Sequence, residues 1–284
     1  EINPKPDFII AIFYRKMSVA LLELSRKYDV PVFIVNTNIP NDDLMDVGVP
    51  RDKYKNFLGV IAANEFQAGY KLAKYLIQES RDNNKQKSIV AISGPRESTE
   101  AVERNKGLSQ AVKEAKNSVL YQTLYTNWEE EQAYILMKRI LKRYENIDIL
   151  WTAGDGLALG AKRAIVESDT KMNIIIGGID WTKNGIDAVK NNELNATVGG
   201  NFMNAGFALV LLYDYFHGKD FKNELGTQIQ LDMSLLTKEN IKEYLDKFTT
   251  NNWDKINFKK YSKHLNPTFH TYDFSLDSLY YNFE

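Results

Sequence analysis

Short apolar runs and helically spaced apolar positions alternate along most of the chain. Asp7-Phe-Ile-Ile-Ala-Ile-Phe13 is rich in β-forming residues and predicts a strand. Val19 to Lys27 then carries apolar residues at helical spacing, and Pro31-Val-Phe-Ile-Val-Asn36 predicts a second strand. Further strands are predicted at Phe57–Ile61, Ser88–Ser93, Val119–Leu124, Ile147–Thr152, Asn173–Gly177, Ala196–Gly199 and Gln228–Leu231. Helices are predicted from about Phe66 to Glu79, Ser98 to Ala115, Glu129 to Arg143, Leu157 to Glu167, Asn184 to Asn191 and Ala205 to Phe216. The strand runs are apolar without alternation, which fits strands covered on both faces. Strands alternating with helices imply βαβ units, hence an α/β fold with doubly wound parallel sheets. The strands are too many for one small sheet, so two lobes are expected. From Trp253 to Glu284 the pattern stops. That stretch is dense in aromatic residues, has no period, and is read as a tail packing its rings onto the body.

Composition narrows the function classes. The chain has 284 residues, 44% of them hydrophobic, enough for one or two real cores. No apolar run approaches the roughly 20 residues of a membrane-spanning helix. Lys plus Arg is 36 and Asp plus Glu is 37, a balance unlike that of a dedicated nucleic-acid binder. With no cysteine, disulfides, thiolate metal sites and cysteine nucleophiles are excluded. The three histidines, His217, His264 and His270, form no metal-binding spacing, so no metal is expected. The chain begins at Glu1 without Met, which is read as a processed or truncated product whose signal peptide is already lost.

The chemical motifs mostly fail as catalytic signatures. Gly154-Asp-Gly-Leu-Ala-Leu-Gly160 has its third glycine one position late for a dinucleotide loop, and Asp155 would face the pyrophosphate. Gly94-Pro-Arg-Glu-Ser-Thr99 lacks the Gly-Lys-Ser/Thr of a phosphate loop, and no Gly-x-Ser-x-Gly occurs. No nucleophile and base come together, so no enzyme activity and no cofactor are expected. The positional pattern is stronger. Asn64, Arg96, Asp155, Asp180 with Trp181, and Asn201 all lie just past predicted strand ends, and Arg104 lies a turn into the following helix. Open parallel sheets bind ligands beyond the carboxyl ends of their strands. Arg and Asp with an aromatic plate suit a small polyhydroxyl ligand.

At these residues the chain resembles the periplasmic sugar-binding proteins of the ribose-binding type. Their fold, the type I periplasmic-binding-protein fold, is shared with lactose-repressor-like ligand cores. Phe57-Leu-Gly-Val-Ile-Ala-Ala-Asn-Glu-Phe-Gln-Ala-Gly69 is similar to the family's first hinge crossing. Ser93-Gly-Pro-Arg-Glu-Ser-Thr-Glu-Ala-Val-Glu-Arg-Asn-Lys-Gly107 is similar to the segment whose arginine clamps the sugar, with Arg104 in that place. Leu150 to Ala161 resembles the Asn-Asp-x-x-Ala-Leu-Gly segment, and Ile176-Gly-Gly-Ile-Asp-Trp181 the Gly-x-Asp segment. Gly154 departs from the family's Asn. Gly200 stands near a common ligand-contacting Gln, with Asn201 as a substitute. Trp181 after the Asp is similar to the autoinducer-2 receptor. The family's opening strand-helix-strand-helix, roughly 50 to 60 residues, has no counterpart before Asp7, so the sequence is read as lacking part of its first lobe.

The resemblance implies two doubly wound lobes joined by a three-strand hinge. One lobe is expected at 1–63 plus 202–231 and the other at 64–200, with 232–284 as hinge return and aromatic tail. The ligand, expected to be a sugar, would sit between the lobes and favour their closure. Arg104, Asp155 and Asp180 would bond its hydroxyls, Trp181 would stack on it, and Asn201, Tyr14 and Arg15 would contribute further contacts. The implied protein is a periplasmic monomer that delivers its ligand to a membrane ABC permease and touches no nucleic acid. The alternatives are a receptor of the autoinducer-2 type signalling to a membrane sensor, and the ligand core of a lactose-repressor-like regulator.

Overall fold

The computed structural model describes residues 4–13, 17–80, 85–247 and 255–282. In chain order the elements are β1 (Ile9–Ala11), α1 (Ser18–Tyr28), β2 (Val32–Val35), α2 (Leu44–Val47), β3 (Phe57–Ala63), α3 (Glu65–Glu79), β4 (Lys87–Ser93) and α4 (Thr99–Glu114). There follow β5 (Ser118–Tyr125), α5 (Glu130–Arg143), β6 (Ile149–Thr152), α6 (Asp155–Val166), β7 (Ile175–Ile179), α7 (Lys183–Lys190), β8 (Ala196–Gly199) and α8 (Asn204–Phe216). The last are α9 (Lys222–Leu225), β9 (Gln228–Leu231), β10 (Ser234–Thr237), α10 (Ile241–Lys247) and α11 (Leu276–Tyr281). The alternation read from the sequence is realised. β10, α2, α9, α10 and α11 are additions, all short.

The chain forms two compact units. The first contains the described residues of 1–63, 201–232 and 255–282, around a parallel sheet in the order β1-β2-β3-β9. Its core joins Leu22 of α1 to Val32, Ile34, Phe57 and Val60 of the sheet, with Phe13, Val47 and Tyr54. The aromatic tail folds onto α8 of this unit. Phe274 stacks on Phe207 at 4.3 Å between ring centroids, and Tyr261 meets Phe207 edge-on at 5.6 Å. The buried Asp214 carboxylate of α8 fixes the tail. It accepts hydrogen bonds from Ser262 Oγ at 2.5 Å, the Lys263 amide at 2.7 Å and Tyr272 Oη at 2.8 Å. The tail's Trp253 and Phe283 lie outside the described residues.

The second unit contains the described residues of 64–200 and 233–247, with sheet order β10-β8-β7-β6-β4-β5. All its pairings are parallel except β10 with β8. β4, β6 and β8 are buried along their whole length, as strands under helices on both faces must be. Two glycines bring α3 and α4 into backbone contact. A Cβ at Gly69 would lie 2.0 Å from the Arg104 carbonyl oxygen, and one at Gly107 would lie 2.1 Å from the Phe66 carbonyl oxygen. Only glycine permits that approach, and it sets the first turn of α3 beside the middle of α4.

Candidate functional site

The site grows from the carboxyl ends of β4, β5, β6 and β7 in the second unit. Asn64 caps α3, its Oδ1 accepting from the Gln67 amide at 3.1 Å. The cap fixes Glu65 at the start of the helix, and the Gly69–Gly107 contact aims it at Arg104. Glu65 Oε2 accepts from Arg104 Nε at 2.6 Å, with both side chains 5% exposed. The same guanidinium donates to the Ala153 carbonyl oxygen at 2.6 Å through one terminal nitrogen and pairs with Asp180 Oδ1 at 3.0 Å through the other. Burial works against the charge of Arg104, but Asp180 and Glu65 outweigh it and hold the group protonated. Burial raises the Glu65 carboxyl, with Arg104 opposing.

Asp180 and Trp181 both adopt positive φ, 121° and 54°, a conformation that costs energy outside glycine. The bend turns Asp180 toward Arg104, where its side chain remains 39% exposed. It turns Trp181 the other way. The indole is 6% exposed, donates through Nε1 to the Thr197 carbonyl oxygen at 3.2 Å, and packs over Gly199 and against Tyr244. Trp181 therefore forms part of the floor and is not the exposed plate expected from its position.

Asp155 also differs from its expected part. It is fully buried. Its Oδ2 accepts from the Thr182 amide at 2.8 Å and Thr182 Oγ at 3.0 Å, and its Oδ1 from Thr197 Oγ at 2.6 Å. Burial, resisted by the Thr197 hydrogen bond, pushes its pKa up to about 7. Asp155 thus ties α6, β8 and the loop after β7 together and has no face for a ligand.

The exposed aromatic surface belongs to Trp128, just after β5. Its φ is 66°, and its indole covers Gly94, where a Cβ would lie 2.2 Å from the ring. The residue is 38% exposed and its ring centroid lies 5.8 Å from the Arg104 guanidinium. A Cβ at Gly154 would lie 3.4 Å from Asp180 Oδ2 and 3.9 Å from the Trp128 ring, so all three border one space. Sequence reading missed Trp128, although Thr126-Asn-Trp128 obeys the same rule of position past a strand end.

Two more of the expected residues are among those described. Arg96 places its guanidinium 3.8 Å from the Tyr125 ring centroid, on a groove of about 520 Å³ along α4 that Arg104, Asp180 and Trp128 do not line. Asn201 opens a 3-10 turn and belongs to the first unit. Tyr14 and Arg15 lie outside the described residues. Among the described residues no group of three or more His, Asp or Glu side chains could hold a metal ion. Within the second unit, Arg104, Asp180 and Trp128 supply a charge-assisted donor, an accessible carboxylate and an indole plate, a set that suits the vicinal hydroxyls of a small polyhydroxyl ring.

Residues 16–220 match the model of the periplasmic binding protein domain. The chain is 24% identical over 183 residues to the galactofuranose-binding protein YtfQ of Escherichia coli, covering 63% of this chain and 54% of that one. It is 26% identical over 143 residues to the ribose import binding protein RbsB of Haemophilus influenzae, covering 50% and 47%. It spans about half the length of these curated relatives. Among solved structures, a periplasmic sugar-binding protein from Pseudomonas fluorescens superposes with a TM-score of 0.82 at 25% identity, covering 98% of this chain and 82% of that one.

Proposed function

Because the chain belongs to the periplasmic binding protein family, we propose that it captures a small neutral sugar in the periplasm for delivery to a membrane ABC importer. The observation that carries this reading is the Arg104–Asp180 pair beside the half-exposed Trp128. Asp180 accepts from ligand hydroxyls, the remaining guanidinium hydrogens of Arg104 donate to ligand oxygens, and Trp128 covers the C–H face of the ring. Asp155 and Trp181 act behind them, holding the loop that carries Asp180. The names of the relatives, which bind galactofuranose and ribose, support a pentose or hexose as the ligand. No reaction is proposed.

Thermal melting against pentoses, hexoses and inositols tests the reading. A sugar at a hundred times its dissociation constant stabilises the fold by about 2.7 kcal/mol, a readable shift in midpoint. The expected result is a shift with one sugar or a small related set, abolished in Asp180→Asn. No shift with any of them, or a shift unchanged in Asp180→Asn, would sink it.

A further inference from the structure

We infer that Glu65 is a positioning residue that sets the charge preference of this site, biasing it against anionic ligands; the inference rests on the sugar-binding reading above. Glu65 reaches Arg104 from the Nε edge and is itself buried, so it acts on a ligand through the arginine. With Asp180 on a terminal nitrogen, one guanidinium faces two carboxylates, and the three side chains sum to −1. A hydroxyl can enter this arrangement because it donates to Asp180 while accepting from Arg104. A carboxylate or phosphate accepts only. It meets the lone pairs of Asp180, and even on displacing Asp180 it finds Arg104 still neutralised by Glu65. A buried ion pair is an expensive way to stabilise a helix contact, since an apolar pair of similar volume is often as stable. The α3–α4 packing at Gly69 and Gly107 needs no charge of its own. The carboxylate at position 65 therefore has its effect on which ligands Arg104 can bind.

The test is titration with matched pairs: D-ribose and ribose 5-phosphate, D-galactose and D-galacturonate, myo-inositol and its monophosphate. In the unmodified protein the neutral member of a pair should bind at least about tenfold more tightly than its anion, the effect of one partly screened charge. Glu65→Gln keeps an acceptor for Arg104 Nε and removes the charge, and should narrow that gap about tenfold. Glu65→Asp should keep the gap. A loss of packing would weaken both members alike and leave the ratio unchanged, which would overturn the inference. So would an anion bound as tightly as its neutral partner by the unmodified protein, whether or not Glu65→Gln folds. Silence across every pair would overturn the sugar reading itself, and the inference with it.

Discussion

At the N-terminus of α6 the Asp155 carboxylate receives three hydrogen bonds on its two oxygens and is closed off from water. Its pKa rises from 3.8 to about 7, so the folded state holds this proton more tightly than the unfolded chain does. Its contribution to stability is fully present below pH 4 and is lost as pH rises through 7. Holding the proton about a thousandfold more tightly in the folded state corresponds to a loss of up to about 4 kcal/mol. The stability of the unmodified protein relative to Asp155→Asn should therefore fall between pH 5 and 8, as read from urea midpoints. A difference that stays flat over that range contradicts the assignment. Position past a strand end made Asp155 and Asp180 equivalent in the sequence. Their separation depends on Thr182 and Thr197, which are distant in sequence from Asp155, and on the positive φ at 180 and 181. No local pattern announces either.

At the scale of elements the site depends on the crossing of α3 and α4. The strand and helix pattern was legible because the buried strands are apolar throughout and the helices carry one apolar face. β10 was not legible. Ser234–Thr237 is a four-residue antiparallel edge whose pairing with β8 no periodicity reveals. The Gly69–Gly107 contact was equally hidden, since one glycine in each helix reads as a local weakness until the helices meet. Gly107→Ala places a methyl group against the Phe66 carbonyl oxygen, an atom of the backbone, and forces the helices apart. It should cost about 1–3 kcal/mol in denaturant unfolding. It should also weaken sugar binding, because Glu65 and Arg104 ride on the two helices. Unchanged stability and affinity would show that the close approach does not position the pair.

On the whole-molecule scale, the sequence divides into two α/β units, each with its own sheet, and the aromatic tail is part of the first unit's core. Aromatic density showed that the tail would pack. It could not show that the buried Asp214 of α8 anchors it, because that carboxylate lies within a strongly apolar helix. Arg104, Asp180 and Trp128 meet in the second unit, from the segments after three different strands. We propose that this trio holds the sugar. Trp128→Ala tests it most directly, since the indole is half-exposed and its removal leaves no buried charge unpaired. Calorimetric titration of the unmodified protein with the sugar that raises its melting point should give a single site. Trp128→Ala should weaken that binding by at least about tenfold, the contribution of one aromatic plate at a half-open site. Equal affinities in the two proteins would show that the sugar binds elsewhere.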